Sequence, residues 1–194
     1  MNVTNSPDCA MPVDVNTEDD RWGDLEPLAR RSCAAALRYL GYDPALFEIS
    51  ILACNDARIQ TLNAQFRGKD RPTNVLSWPA WDLAGESPGA APAPPEPGTP
   101  DMPEALGDLA LAWETCEGEA REQGKKLDDH VAHLMVHSVL HLLGYDHEHA
   151  ADAHLMEETE AAILATMGIA DPYSSLDGPP DDAADTVETY IGKV

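Results

Sequence analysis

The histidines of this chain are confined to one short stretch, and their spacing is the feature that most limits how the chain can fold. All seven lie between positions 130 and 154, where even scattering would put about one. Residues 137–147 read HSVLHLLGYDH. His137 and His141 are four apart in a helical pattern, so their imidazoles leave one helix face about 6 Å apart along the axis. Gly144 can adopt the left-handed conformation that ends a helix, and the chain then returns with His147.

Three converging imidazoles predict a metal site. The spacing H-x-x-x-H-x-x-G-x-x-H is that of the ligands in one branch of the zincin metalloenzymes. Three protein ligands leave a fourth position open on zinc, as in catalytic rather than structural sites. Zincin proteases place a glutamate after the first ligand as general base, but this chain has Ser138, whose hydroxyl cannot accept a proton near neutral pH. Peptide hydrolysis by the usual zincin route is therefore disfavoured.

The remaining histidines leave alternatives open. His130 and His133 fall on the same side of the predicted helix as His137, so a metal pair of His133 and His137 is also geometrically possible. Our interpretation is that His130 and His133 form a polar helix face. For His149 and His154, after the turn, we expect roles outside the ligand set.

The compartment can be predicted from the cysteines and from the absence of export signals. Cys9, Cys33, Cys54 and Cys116 are widely spaced without a C-x-x-C pair, which is typical of reduced thiols rather than a disulfide scaffold. The sequence contains no run of about 18 apolar residues, and its acidic N-terminus lacks the form of a signal peptide. We therefore expect a soluble, cytoplasmic protein with no membrane partner.

Acidic residues dominate the chain but not every part of it. With 35 acidic and 12 basic residues the formal charge is −23, which argues against a general basic nucleic-acid binder. Residues 25–81 are the exception, because they hold seven basic and five acidic residues, a net charge of +2. Any contact with a phosphate backbone is therefore expected to be local and short.

The length and composition predict one catalytic domain over residues 1–170. Residues 82–105 are rich in Pro, Ala and Gly and are predicted to form a flexible inserted loop. Residues 171–194 are expected to form a mobile acidic tail. Hydrophobic periodicity and capping residues predict helices over 24–40, 55–68, 114–123, 128–144 and 151–167, and strands over 47–53, 73–78 and 109–113. Mixed helices and strands in one small domain indicate an α+β or loosely α/β fold.

Several blocks of the sequence together resemble the YbeY family of bacterial rRNA maturation factors. They are HSVLHLLGYDHE with downstream Met156 and Glu160, LNAQFRGKDRPTNVLSWP at 62–79, and LGDLAL at 106–111. The resemblance covers most of residues 25–169. It implies an α+β fold, in which a small mixed sheet packs with about five helices including the zincin-like metal helix. It also implies a zinc-dependent, single-strand-specific endoribonuclease acting in small-subunit (16S) rRNA 3′-end maturation and ribosome quality control.

The resemblance also assigns roles to particular residues. His137, His141 and His147 match the family's metal ligands, and Arg67 matches an arginine of its active-site cleft. A guanidinium is a planar fork that fits phosphate and can stabilise charge developing in a transition state, so Arg67 is the candidate catalytic residue. Ser138, Asn74 and Trp78 stand where such sequences often have Gly, Asp and Phe; none of the three is a metal ligand.

Basic and aromatic residues near Arg67 are candidates for RNA binding. Arg58, Lys69 and Arg71 lie in the net-positive segment and could follow a phosphate backbone, while Trp78 or Trp81 stacks on bases. Without the resemblance, a solvated surface with core tryptophans explains these residues about as well. The expected partner is rRNA in the small ribosomal subunit, and no DNA partner is expected.

Two other functions remain open at this stage. A zinc hydrolase of peptide or amide bonds would need a general base other than Ser138, such as Glu148 or Glu157. A ribosome-assembly adaptor would use zinc only to fold the histidine turn. The sequence leaves open which groups transfer protons.

Overall fold

The computed structural model describes residues 11–173. Within this range the chain forms four strands and five helices. They are β1 (Val13–Thr17), α1 (Glu26–Tyr39), β2 (Phe47–Cys54), α2 (Asp56–Arg67), β3 (Val75–Pro79), β4 (Glu104–Ala112), α3 (Trp113–Glu122), α4 (Leu127–Leu142) and α5 (Ala150–Thr166). The strand order is β1-β2-β4-β3, with β3 antiparallel to β4 and the other pairs parallel. The predicted α+β fold with a small mixed sheet is confirmed.

The two faces of the sheet are covered differently. Alternate side chains of the strands, such as Ile49, Ile51 and Leu109, enter a large core shared with α1, α4 and α5. The opposite face packs a smaller core, including Leu76 and Ile59, beneath α2. Helices α2 and α4 therefore lie on opposite faces of the sheet.

Strand β1 was not predicted from the sequence. Its segment VDVNT buries only the first valine fully, and its remaining side chains are half-buried or exposed. A strand at the edge of a sheet has one neighbour and little apolar pattern, so its pairing with β2 is visible only in three dimensions.

Several predicted boundaries were wrong by one to five residues. Strand β4 begins at Glu104, inside the expected loop 82–105, and is bulged opposite Glu48 and Ile49. Trp113 begins α3 rather than ending the strand, and α1 is preceded by Leu25 rather than capped by Asp24. The bulge and three polar or glycine residues hide the first half of β4 from a pattern-based prediction.

The proline-rich segment is irregular and lies against the domain. The Ala93 amide donates to the Leu83 carbonyl at 2.8 Å, and the Gly98 amide donates to the Leu46 carbonyl at 3.2 Å. The predicted acidic tail lies outside the described residues except for its first three. Over residues 11–173, none of the helices has the length and apolar character needed to cross a membrane.

Candidate metal centre

Helix α4 holds two of the three predicted ligands at the centre of the molecule. Twelve of its sixteen residues are buried, and it packs against α1, α3, α5 and β3. A helix that is buried along most of its length is enclosed by other elements, so its polar side chains are held in place. His137 is 4% exposed and His141 is 1% exposed.

The structure brings the three predicted histidines together. The Nε2 atoms of His137 and His141 are 3.0 Å apart. The ring of His147 lies 5.9 Å from that of His137 and 5.1 Å from that of His141, centroid to centroid. One ring nitrogen from each residue falls within 4.8 Å of the other two, so the group could hold a metal ion. His147 is exposed, which leaves the site open on that side.

The turn that carries His147 is fixed by local geometry and by the proline-rich segment. Gly144 follows α4 with φ of +88°, in the left-handed region that glycine tolerates. A Cβ on Gly144 would lie 2.6 Å from the carbonyl carbon of Leu83, so the two segments touch here. The Asp146 carboxylate accepts the backbone N–H of His147 at 2.7 Å, which is turn chemistry and orients no imidazole.

The electrostatics of the site suit neutral imidazoles. Burial, followed by the nearby His137 and His147, holds the pKa of His141 well below its ordinary value. Burial and His137 also lower the pKa of His147. Metal ions bind the neutral form of histidine, so the lowered pKa values of His141 and His147 favour metal binding at these two ligands.

A buried carboxylate lies behind the histidines. Glu160 of α5 is fully buried, and its Oε2 lies 3.1 Å from Nδ1 of His137. Its Oε1 is 2.5 Å from Nε2 of His133, and Oε2 accepts the Tyr173 hydroxyl at 2.8 Å. Burial acts to raise the pKa of Glu160, but the adjacent imidazoles of His137 and His133 outweigh it and hold the pKa well below its usual range.

His130 and His133 make polar contacts outside the metal group, but the helix face that they form is buried rather than solvated. His130 is 3% exposed, and its Nε2 lies 2.8 Å from Glu119, which also accepts from the side-chain amide of Asn74. His133 faces Glu160 rather than the metal group. The spacing on α4 could not show this burial, because the partner carboxylates Glu119 and Glu160 belong to other helices. His154, by contrast, is exposed and pairs with Glu158 on its own helix.

Three of the predicted basic residues fall around the end of α2. Arg67 is its last residue and is half-buried. Gly68 ends the helix with φ of +68°, and the exposed Lys69 and Arg71 follow. Buried Asn63 donates its side-chain amide to the Arg71 carbonyl at 2.9 Å, which shapes this connection.

Arg58 and Trp78 lie in a cavity of about 510 Å³ on the α2 face of the sheet, and none of the three histidines lines it. Arg58 pairs with Glu18 at 3.1 Å, and Trp78 makes an edge-to-face contact with Phe66 at 5.7 Å. Asp14 and Asp108 also line the cavity.

The sequence reasoning missed Glu119 and Tyr173, and assigned Glu160 no role. The signal for Glu160 was present, because Met156, Glu160, Ile163 and Leu164 share helical spacing and are all buried. A glutamate on an apolar stripe needs a partner, and histidine is a natural one. Tyr173 carried no such signal, since it follows the last helix in a segment of irregular composition.

The fold and the site together define an α+β protein with a group of three histidines, two buried and one exposed, that could hold a metal ion. Comparison with known proteins identifies the family. The family described as "Endoribonuclease YbeY" matches residues 14–168, and the chain belongs to the YbeY family. The resemblance seen in the sequence is thereby confirmed.

Two relatives align with this chain over more than nine-tenths of their own length. "Endoribonuclease YbeY" of Ruegeria pomeroyi is 56% identical over 165 residues, covering 84% of this chain and 99% of its own length. The protein of the same name from Dinoroseobacter shibae is 58% identical, covering 84% of this chain and 91% of its own. A solution structure from Thermotoga maritima has 20% identity and a TM-score of 0.48, covering 87% of this chain and 99% of its own.

Proposed function

We propose that this protein is a zinc-dependent, single-strand-specific endoribonuclease that acts in small-subunit (16S) rRNA 3′-end maturation and ribosome quality control in the cytoplasm. The observation that carries the proposal is the convergence of His137, His141 and His147 in a chain of the YbeY family. The histidine set supports a metal-dependent hydrolase, and the names of the relatives point to RNA as the substrate.

The donor set fits zinc. Three imidazoles, two of them buried and one exposed, suit a borderline-soft ion that accepts nitrogen ligands and keeps a fourth position open. Bound there, zinc would supply Lewis acidity toward a phosphoryl oxygen and an acidified water. The protein's part is to hold the three nitrogens and to keep His137 and His141 away from bulk solvent. Ser138 is buried, which agrees with its exclusion as a general base.

Arg67 is proposed as the residue that stabilises charge on the scissile phosphate. Its guanidinium can donate two parallel hydrogen bonds to phosphate oxygens, and this fork suits the charge that develops in the transition state. Lys69 and Arg71, on the exposed connection after Arg67, are proposed to bind neighbouring phosphates, with Trp78 available to stack on a base. Arg58 is expected to contribute less, because Glu18 and two further carboxylates surround it.

The proposal is tested with purified protein, a fluorescent single-stranded RNA and its duplex. Arg67→Ala is expected to lower the cleavage rate by roughly 100-fold or more with unchanged zinc content, because a transition-state donor is lost. His141→Ala is expected to lose both zinc and cleavage. Arg31→Ala, an exposed arginine on α1, and His154→Ala are the matched controls and should change neither.

Three results would contradict parts of the proposal. Cleavage of duplex as fast as single strands would remove the strand specificity. Full activity in Arg67→Ala would remove the role of the arginine. Normal 16S rRNA 3′ ends in cells that carry His141→Ala would separate the metal centre from rRNA maturation and favour the adaptor function.

A further inference from the structure

The ligand His137 has a carboxylate behind it that belongs to a different helix. Glu160 of α5 is fully buried and meets Nδ1 of His137 at 3.1 Å. The opposite nitrogen of the same ring, Nε2, is the one that lies 3.0 Å from His141 within the metal group. The two nitrogens of His137 therefore face different partners, one a carboxylate and the other the metal site.

A neutral imidazole has one N–H and one lone pair, so its two nitrogens cannot both serve a metal. A carboxylate accepts hydrogen bonds and cannot donate them when ionised, so the proton of His137 is held on Nδ1. The lone pair is then on Nε2, toward His141 and His147. We propose that Glu160 is a positioning residue for the metal centre, which fixes the tautomer and ring orientation of His137 so that Nε2 is presented to the metal.

Two further side chains hold Glu160 in this position. The Tyr173 hydroxyl donates to Oε2 at 2.8 Å, and His133 approaches Oε1 at 2.5 Å. Burial and the charge of Glu160 raise the pKa of Tyr173, so its hydroxyl stays protonated and remains a donor. A buried carboxylate that lacked such partners would carry a large desolvation cost.

Tyr173 lies beyond residue 168, where the match to the family ends. The segment after α5 therefore contributes a side chain to the support of the metal centre. The backbone of this segment is itself ordered by a turn in which the Asp171 carboxylate accepts the Tyr173 amide at 2.8 Å.

Metal affinity tests this inference. Apo protein is titrated with Zn²⁺ and Co²⁺ against a chromophoric chelator at constant pH. Glu160→Gln keeps the shape of the side chain and removes its charge. It is expected to lower the affinity for both metals by roughly 10- to 100-fold and to alter the Co²⁺ absorption spectrum. Tyr173→Phe is expected to lower the affinity for both metals as well, but by a smaller factor. The matched control is Glu158→Gln on the same helix, whose side chain is 66% exposed, and its affinity should equal that of the wild type.

The tautomer of His137 can be read directly in the unmodified protein by long-range ¹H–¹⁵N correlation of the apo form. A protonated Nδ1 supports the proposal, and this readout decides it even where Glu160→Gln does not fold. A protonated Nε2 with a bare Nδ1, or wild-type affinity in folded Glu160→Gln, would overturn it. The inference rests on the metal site of the proposed function but not on RNA cleavage. A wild-type protein that binds neither metal would refute the proposed function, whereas equal affinities in wild type and Glu160→Gln would refute only the positioning role.

Discussion

At the scale of single residues, the partner of each histidine on α4 determines its role. His130 meets Glu119, His133 meets Glu160, and His137 and His141 meet each other. All four lie on one side of the helix, so their spacing could not distinguish candidate metal ligands from histidines that contact carboxylates. The histidines differ because carboxylates on α3 and α5 approach the helix at different points along its length.

The buried cysteines give a prediction at the same scale. Cys33, Cys54 and Cys116 are free and fully buried, in agreement with the interpretation as reduced thiols, and Cys9 lies outside the described residues. Burial raises the pKa of Cys33 to about 12 and that of Cys116 well above its ordinary value. Because the thiolate is the reactive form, iodoacetamide at pH 8 should leave these residues unmodified in folded protein and modify them in urea, as measured by peptide mass spectrometry.

The same shifts have a consequence for stability. The folded pKa of Cys33 lies above the unfolded one, so the contribution of the neutral thiol is complete below about pH 9 and is lost as the pH rises toward 12. Urea midpoints should therefore fall between pH 8 and pH 10.5. Rapid alkylation of Cys33 in folded protein at pH 8 would contradict its buried position.

At the scale of elements, the metal centre depends on a junction between α4, the turn after it and the proline-rich segment. The turn reverses the chain within three residues of Gly144, and Leu83 packs directly against that glycine. The Gly89 amide donates to the Asp152 carboxylate at 2.6 Å, which ties the same segment to the first turn of α5. The segment thus supports the position of His147 from outside.

Gly144→Ala tests this junction. The substitution places a Cβ at positive φ, which costs about 1–2 kcal/mol, and adds a clash with the Leu83 backbone that costs roughly 1–3 kcal/mol more. We expect a lower free energy of unfolding in urea and weaker zinc binding, because His147 is displaced.

Gly168→Ala is the matched control for this prediction. Gly168 also ends a helix at positive φ, +74°, but its Cβ would meet nothing within 4 Å. Gly168→Ala should lower the free energy of unfolding only by the cost of a Cβ at positive φ, and it should keep the zinc affinity of the wild type. Equal losses in the two variants would mean that the contact with Leu83 has no energetic role.

At the scale of the whole molecule, the charge is divided between regions. The chain carries −23, yet Arg67, Lys69 and Arg71 fall together around the end of α2. The cavity that contains Arg58 has three carboxylates in its lining, those of Asp14, Glu18 and Asp108. A net charge of this sign is expected to repel long phosphate backbones, so any RNA contact should be short and confined to the local basic site.

Salt dependence measures how many phosphates are bound. With three basic residues engaged, the logarithm of the binding constant for single-stranded RNA should fall with log salt at a slope of roughly −2. The triple variant Arg67→Ala/Lys69→Ala/Arg71→Ala should flatten the slope, whereas Arg58→Ala should change it little. Fluorescence anisotropy at several salt concentrations gives the slope, and a value near −6 would show that the binding surface lies elsewhere.

The helices and the strands β2 and β3 could be predicted from the sequence because each one carries its own pattern of apolar residues. Strand β2 and helix α2 were predicted to within a residue or two, with Asn55 as the cap. Strand β1 and the first half of β4 could not be predicted, because their stability comes from pairing with β2 rather than from apolar alternation.

The sequence by itself determined the three-histidine group. His137, His141, Gly144 and His147 lie within eleven residues, over which helix geometry and a glycine stop decide where side chains point. Only the tertiary structure decided what stands behind that group, since Glu160 reaches His137 from 23 residues away and Tyr173 reaches Glu160 from beyond the last helix. It also placed Arg58 and Trp78 in a cavity on the sheet face opposite α4. The reason is physical: short-range spacing is set by local backbone geometry, whereas contacts between elements depend on how the sheet and helices pack as a whole.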